Sequence, residues 1–331
     1  MRTPTVWNRG APKDDYDRGG SALPESDNSA ELSFPHKFLH EIETMARPEW
    51  ANWNGVEMPL SEVRVSVTDR AYLFGDGVYE VFRVYNGQMF LDRPHFARLR
   101  DSLAQLRIVT DVDRLEQRVR DTLAHSGVRE GQVYLQVSRG EAPRSHAFPH
   151  PAVIPNELIY VREYDKDPYA AYRSSGIRAL IVPDVRWKRC DIKSLNLLGN
   201  VLASQAAEEA GCQEAIMALE DGTITEGSHS TVFGVRGGAL VTAPLEANIL
   251  PGITRKLVLE LADLCRIPIE ERPFLVSALG DLDELFVTST IAEVLPIVGI
   301  ESHPWKSAEP GPVTRQLQQA YREYVSQECG V

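Results

Sequence analysis

The sequence is poor in cysteine and has no long apolar segment, and both absences narrow the class of protein. Among 331 residues there are four cysteines, and no two of them form a CxxC motif. Such scattered cysteines fit a reducing cytoplasm better than a disulfide framework. No apolar run approaches the roughly 18 residues of a membrane span. We therefore expect a cytoplasmic protein without a transmembrane segment.

Basic side chains are outnumbered as well, with 35 Lys and Arg against 47 Asp and Glu and a net charge of −12. This balance opposes binding to nucleic acids and anionic membranes, although a local basic pocket for one anion remains compatible with it. The sequence also lacks GxGxxG, GxxxxGK[ST] and GxSxG motifs. His36 with His40, and His146 with His150, have no third ligand nearby, so we predict no metal site.

Residues 1–34 are rich in Pro, Gly, Ser and Asp, lack the apolar core of a secretory signal, and predict a mobile or loosely docked arm. Apolar spacing from Phe34 to Ile42 predicts a short helix. The polar stretch 162–175 is the predicted domain boundary. We therefore expect a partly flexible extension over 1–48, a small domain over 49–166 and a larger domain over 167–331.

Strand and helix patterns are mixed in both halves. Predicted strands cover 63–67, 78–85, 88–91, 133–137, 157–161, 177–182, 215–219, 231–235 and 284–288. Asn86-Gly87 between two apolar runs is typical of a hairpin. Apolar spacing predicts helices after Pro94, from Leu115 to Gly127, over 197–209, around Leu257 to Leu264 and over Val313 to Tyr324. Because strands and helices do not alternate regularly, we predict an α+β (mixed α/β) fold rather than a doubly wound sheet.

Several polar segments follow apolar strands, and each has two interpretations. Lys193 precedes an apolar helix; burial favours the neutral amine that forms a Schiff base, whereas an exposed lysine would only reach solvent. Glu226, in a turn-rich segment, either pairs with a cationic ring nitrogen or caps a turn. Gly252 precedes a helix that Thr254 would help to cap; the free N–H groups at that end suit a phosphate, and a plain N-cap is the alternative. The hydroxyls of 288–290 are equally ambiguous.

Two pairs of cations complete the pattern. His95 and Arg98 lie three residues apart on a helix and are expected to point away from its apolar stripe. Arg144 and His146 lie two residues apart in a loop, where both can donate to a carboxylate. Together, a lysine for an aldehyde, a glutamate for a pyridine nitrogen and cations for a phosphate and a carboxylate indicate a pyridoxal phosphate site.

Residues 49 to about 325 resemble the fold-type IV pyridoxal phosphate enzymes, and most closely the bacterial D-amino-acid transaminases. The matching segments are 74–81, 84–87, 139–140, 143–146, 184–187, 189–203, 225–228, 252–255 and 283–290. The long lysine segment and the Arg144-x-His146 loop are the most specific. Branched-chain transaminases and aminodeoxychorismate lyases share the lysine but lack the Arg-x-His arrangement.

The resemblance implies a two-domain fold whose larger, cofactor-binding domain contains a pseudo-barrel sheet. It implies that Lys193 binds the cofactor covalently and moves the proton, and that Glu226 faces the pyridine nitrogen. Leu250 would pack against the ring. The implied phosphate ligands are Arg98, Ile253, Thr254, Ser289 and Thr290. The implied substrate-binding residues are Tyr79, Val81, Arg144 and His146, with Arg144 and His146 supplied by the partner of a homodimer.

The expected reaction is ping-pong transfer of an amino group from D-alanine or D-glutamate to 2-oxoglutarate or pyruvate. Alternatives are an (R)-amine or branched-chain transaminase, an aminodeoxychorismate-type lyase and a non-catalytic cofactor-binding protein. His229 and Thr231 depart from the family's usual Ser/Gly-rich stretch ending in Asn. Arg83, near the expected side-chain pocket, either favours acidic substrates or points outward. The sequence leaves the role of residues 1–48 and the preferred side chain open.

Overall fold

The computed structural model describes residues 49–246, 248–305, 307 and 309–331. The predicted helix between Phe34 and Ile42, with the rest of the 1–48 extension, lies outside the described residues. The described chain contains two sheets with helices packed on them.

The first sheet is antiparallel throughout and has the strand order β2-β1-β6-β5-β3-β4. Its strands are β1 (Trp50–Trp53), β2 (Val56–Pro59), β3 (Gly77–Tyr85), β4 (Gln88–Met89), β5 (Gly131–Ser138) and β6 (Asn156–Glu163). A short helix α1 (Arg70–Phe74) precedes β3, and helices α2 (Asp92–Leu106) and α3 (Val112–Ser126) follow β4. Inward residues of β3, β5 and β6 form a core with the apolar stripes of α2 and α3.

The second sheet is mixed and has the strand order β12-β11-β10-β13-β14-β7-β8-β9. Its strands are β7 (Ile177–Pro183), β8 (Glu214–Ala218), β9 (Ile224–Gly227), β10 (Thr231–Arg236), β11 (Ala239–Thr242), β12 (Ile269–Glu271), β13 (Glu284–Ser289) and β14 (Glu293–Ile300). The helices of this half are α4 (Ala170–Ser175), α5 (Leu198–Glu209), α6 (Ile253–Leu264) and α7 (Pro312–Cys329).

The second sheet curls, as expected for a pseudo-barrel. Thr223, beside edge strand β9, forms a β-bridge with Leu275, which follows the opposite edge strand β12. The two edges of the sheet therefore approach each other without pairing strand to strand. The mixed α+β prediction is confirmed by these two sheets. The boundary between residues 166 and 167 stays a prediction.

Most predicted elements are confirmed, including the hairpin at Asn86-Gly87 and the end of α3 at Gly127, whose φ is +67°. The strand predicted over 63–67 is wrong. Val65 and Val67 are exposed there, and the segment pairs with no strand of the described chain. Alternation alone favours a strand only where one face is buried and a neighbouring edge is free to pair.

No helix among the described residues is both long and apolar enough to cross a bilayer.

Candidate active site

A cavity of about 120 Å³, partly open to solvent, lies beside β3, β9, β13 and the beginning of α6. It brings together most of the predicted site residues. Those that line it are Tyr79, Arg98, Lys193, Glu226, Leu250, Ile253, Thr254, Ser289 and Thr290. Val81, Arg144 and His146 do not line it.

Lys193 is held by its backbone at the junction of the two sheets. The Lys193 carbonyl accepts a 3.1 Å hydrogen bond from the Tyr79 amide, and the Leu195 amide donates to the Gly77 carbonyl at 3.0 Å. The Lys193 amide donates to Ser102 Oγ at 3.2 Å. The Nζ atom lies 4.1 Å from the centre of the Tyr79 ring. The partly buried amine is thus directed to the cavity wall, and the surface-lysine alternative is not met.

Glu226 is a buried residue of β9, not a turn cap. Its carboxylate accepts hydrogen bonds from Arg186 and, at 3.2 Å, from the Leu250 amide. Burial raises the pKa of the Glu226 carboxyl to about 7, and Arg186 offsets only part of that rise. Arg186 is shared, because it also donates to Asp184 through Nε at 3.0 Å and Nη2 at 2.7 Å.

The N-terminus of α6 forms one end of the cavity. Gly252 is the N-cap and has no side chain to accept the first N–H groups of the helix. Ile253 and Thr254 line the cavity in that first turn. The expectation that Thr254 helps to cap the helix is wrong, because Thr254 lies inside it. Free N–H groups at a helix N-terminus favour a phosphate.

Arg98 reaches this end from α2. Arg98 and His95, which are expected to point together away from the apolar stripe of α2, are both buried against Glu80. Arg98 donates to Glu80 through Nε and Nη2, both at 2.8 Å, and to the Pro251 carbonyl through Nη1 at 2.9 Å. His95 Nδ1 lies 2.7 Å from Glu80 Oε2.

Glu80 was missed by the sequence reasoning. Burial alone would raise the pKa of its carboxyl, but Arg98 and His95 outweigh burial and lower that pKa to about 2. The sequence contained a signal for it. Glu80 lies on the same face of β3 as Val78 and Phe82, because residues two apart in a strand point to the same side. A charged residue therefore occupies an inward position of this strand.

The predicted carboxylate ligands lie apart from the cavity of their own chain. Arg144 and His146 are exposed on the long segment between β5 and β6. Val81 lies two residues beyond Tyr79 and therefore on the same face of β3. Arg83 is buried and donates to the Val84 and Gly131 carbonyls at 2.5 and 2.9 Å, so it is neither a pocket residue nor an outward one.

The two departures from the family pattern line the cavity. The half-exposed His229 ring has Nδ1 2.9 Å from Ser228 Oγ. A Cβ atom placed on Gly252 would lie 2.8 Å from Thr231 Oγ1. Thr231 therefore leaves no room for a larger residue at the cap of α6.

These residues fit pyridoxal phosphate by the chemistry of their donors. The buried Thr288 Oγ1, in the cavity wall, has no hydrogen-bond partner among the described residues. With Arg98 and the first turn of α6, it adds a further donor for a phosphate. Glu226 suits a protonated ring nitrogen, and Lys193 suits an aldehyde carbon.

Comparisons with known proteins agree with this assignment. Residues 77–300 match the family described as Amino-transferase class IV. A D-alanine aminotransferase of Staphylococcus haemolyticus is 42% identical over 274 residues, covering 82% of this chain and 96% of that protein.

Two solved structures share the fold. The branched-chain amino acid aminotransferase of Escherichia coli is 26% identical with a TM-score of 0.78, covering 84% of this chain and 94% of that one. A second branched-chain amino acid aminotransferase, from T.th. and solved with pyridoxamine 5'-phosphate, is 25% identical with a TM-score of 0.78, covering 85% of this chain and 95% of that one.

Proposed function

The chain belongs to the class IV aminotransferase family, and from this premise we propose that it moves amino groups between D-amino acids and 2-oxo acids. D-Alanine and D-glutamate are the proposed donors, and 2-oxoglutarate and pyruvate the acceptors. The observation that supports the proposal is that Lys193, Glu226 and the uncapped N-terminus of α6 line one cavity.

Pyridoxal phosphate, when bound, supplies the electron sink that stabilises negative charge at the substrate Cα. Arg98, Ile253, Thr254, Ser289 and Thr290 would hold its phosphate, and Leu250 would contact its ring. Glu226 would keep a proton on the ring nitrogen, because a buried carboxylate beside that nitrogen would favour the cationic ring. Arg186 and the Leu250 amide fix the direction of the carboxylate.

Lys193 moves the proton. Its Nζ atom, in the cavity wall, would act as the base that takes the proton from the substrate Cα and holds it for the rest of the half-reaction. The backbone hydrogen bonds of Lys193 to Tyr79 and Ser102 hold it at one position throughout. The two substrates exchange the amino group in separate half-reactions, so the same amine acts in both directions.

Lys193→Ala tests the core of this proposal. We expect turnover to fall by at least about a thousandfold, because general acid–base catalysis by a positioned group contributes about 10² to 10⁴. Thermal unfolding should change little, since the side chain is only partly buried. Normal activity in this variant, or failure of borohydride to fix the cofactor to residue 193 of the native protein, refutes the assignment.

We propose a homodimer in which Arg144 and His146 enter the partner's cavity and bind the substrate carboxylate beside Tyr79. Both side chains are exposed and absent from the cavity of their own chain, which supports donation to a second copy. An apolar patch formed by Val185, Trp187, Leu198, Val201 and Leu202 is exposed and gives such a dimer an area to bury. Leu202→Arg should convert the dimer to a monomer by light scattering and remove activity.

The handedness of the substrate separates the candidate functions. The structural likeness to branched-chain enzymes favours L-amino acids as the second candidate. Spectral titration of the cofactor-loaded protein with D- and L-alanine decides between these two candidates. If the cofactor spectrum changes at comparable rates with both enantiomers, the protein belongs with the branched-chain transaminases. Amines without a carboxylate expose an (R)-amine transaminase, pyruvate release without an acceptor exposes a lyase, and unchanged spectra expose a non-catalytic cofactor-binding protein.

We also infer a reducing compartment such as the cytoplasm. The four cysteines, Cys190, Cys212, Cys265 and Cys329, are all free thiols.

Burial raises the pKa of the Cys190 thiol, which lines the cavity, to about 11. That thiol therefore stays protonated and unreactive beside Lys193.

A further inference from the structure

The segment between β5 and β6, residues 139–155, is called the clamp loop here, because it carries Arg144 and His146. It contains neither a helix nor an extended strand, and both side chains are exposed. A loop can present two donors at a fixed spacing only if its backbone is held from outside. The side-chain hydrogen bonds to its backbone at Ser145 and His146 come from one buried residue, Arg70.

Arg70 is 3% exposed and donates to two consecutive carbonyls of the clamp loop. Its Nη1 atom lies 2.6 Å from the Ser145 carbonyl oxygen, and Nη2 lies 3.5 Å from the His146 carbonyl oxygen. The Arg70 amide also donates to the Gly140 carbonyl at 3.0 Å. Arg70, in α1, is therefore hydrogen-bonded to the clamp loop on both sides of Arg144.

Asp76 fixes the guanidinium of Arg70. Arg70 Nε donates to Asp76 Oδ2 at 2.7 Å, and Arg139, at the start of the clamp loop, donates to both oxygens at 2.8 and 2.9 Å. Burial of Asp76 would raise the pKa of its carboxyl, but Arg139 and Arg70 outweigh burial and lower it. Asp76 therefore remains an anion that orients two arginines.

The Phe74 ring contacts the side chains of both Arg144 and His146. The Arg144 guanidinium lies 5.3 Å from the centre of the Phe74 ring, and the His146 ring lies 5.4 Å from it. The Arg70 guanidinium lies 4.8 Å from the same ring. Arg70 therefore holds the backbone of the clamp loop and also contacts the Phe74 ring, against which Arg144 and His146 pack.

We propose that Arg70 is a positioning residue that determines the preference for substrates bearing a carboxylate, by holding the clamp loop in the shape that meets the partner's substrate. This inference rests on the proposed function, in which Arg144 and His146 bind that carboxylate. Arg70 touches neither substrate nor cofactor. Its effect is on selectivity, and it acts in the cavity of the other subunit.

Arg70→Met tests the proposal, with Arg83→Met as the matched control. Arg83 is equally buried and also donates to two backbone carbonyls, but on the first sheet away from the clamp loop. The measured quantity is the ratio of kcat/KM for D-alanine to that for (R)-1-phenylethylamine, which has the same handedness and no carboxylate. We expect Arg70→Met to lower this ratio about tenfold or more, chiefly through the KM for D-alanine, and Arg83→Met to leave it unchanged.

A ratio that falls equally in both variants, or in neither, overturns the proposal. If Arg70→Met does not fold, Arg70→Lys replaces it; this variant keeps the charge beside Asp76 but cannot span both carbonyls, and the same fall in the ratio is expected. Arg144→Ala separates the two levels of inference. If Arg144→Ala itself leaves the ratio unchanged, the proposed carboxylate site fails; if Arg144→Ala lowers it and the Arg70 variants do not, only the role of Arg70 fails.

Hybrid dimers, purified with two different tags, test action across the subunit boundary. In a dimer of Arg70→Met with Lys193→Ala, the working cavity receives its clamp loop from a subunit with intact Arg70, and the D-alanine preference should return. In a dimer of wild type with a subunit that carries both substitutions, the working cavity receives the altered loop, and the preference should stay low. The opposite pattern would place the effect of Arg70 within its own cavity and overturn the proposal.

Discussion

Two buried glutamates beside the cavity, Glu80 and Glu226, each face an arginine but differ in proton affinity. The pKa of the Glu80 carboxyl falls to about 2, whereas that of Glu226 rises to about 7. The difference lies in the partners. Glu80 has two of Arg98's donors and His95 to itself, while Glu226 shares Arg186 with Asp184. A buried acid that accepts two hydrogen bonds from one arginine is a fixed anion, and one whose arginine is shared with a second carboxylate keeps proton affinity for a ligand.

Of the variants that test this comparison of the two glutamates, Glu226→Gln should have the largest effect on activity. An amide cannot hold the proton on the ring nitrogen, so we expect kcat to fall about a thousandfold. Near pH 5, where the buried Glu226 carboxyl is still protonated, stability should change by no more than about 1 kcal/mol, because Arg186 keeps its bonds to Asp184. Steady-state kinetics and urea unfolding measure the two quantities. Retained activity would mean that Glu226 does not control the ring proton.

Glu80→Gln should act mainly on stability and on cofactor affinity. The change leaves Arg98 buried without its anion and removes the carboxylate partner of His95, which destabilises the fold by about 3 kcal/mol. Affinity for the cofactor should fall because Arg98 loses the bonds that aim it at the phosphate. Urea unfolding and spectral titration with the cofactor measure the two effects.

Glu157→Gln is the matched control for Glu80→Gln. Glu157 is buried, pairs with Arg118 and Arg114, and does not line the cavity. A similar loss of stability with unchanged cofactor affinity is expected. Equal losses of affinity in the two variants would show that general loosening of the sheet, not Arg98, is responsible.

The pH dependence of stability in the cofactor-free protein gives a smaller test of the same contrast. The pKa of Glu226 is raised on folding, so protonated Glu226 stabilises the folded state fully at a pH below its ordinary pKa. This contribution to the free energy of unfolding, about 3 kcal/mol, is lost as pH rises toward 7. The pKa of Glu80 is lowered, so its contribution is full above its ordinary pKa and is lost as pH falls toward 2. Urea unfolding between pH 5 and 7.5 should show the Glu226 loss in wild type and not in Glu226→Gln.

The sequence was sufficient for the elements with a strong period and for the residues that carry the family's chemistry. The stripe of Phe96, Leu99 and Leu103 predicted α2, and the segments around Lys193 and Glu226 predicted two walls of the cavity. The failures share a cause. Whether the alternation at 63–67 becomes a strand, and whether Arg83 is buried, depends on neighbours that are distant in sequence.

Partnerships between charged residues were likewise hidden. Nothing local to Glu80 indicates that Arg98, 18 residues later, will bind it, and Arg186 lies 40 residues from Glu226. By contrast, the hairpin of β1 and β2 was missed although Asn54-Gly55 carries the signal that predicted the hairpin at Asn86-Gly87. The turn signal is local and was available in the sequence, whereas the ion pairs require the fold.

The hydrogen bonds between the lysine segment and β3 have a mechanical consequence. Lys193 follows β7 of the second sheet in the chain, yet its carbonyl is bonded to the amide of Tyr79 in the first. A ligand joined to Lys193 and bound at the N-terminus of α6 would connect the lysine segment, and through it β3, to the second sheet. The Tyr79 amide should therefore exchange with solvent deuterium faster when the ligand is removed, so the exchange rate of this one amide reports whether the site is occupied.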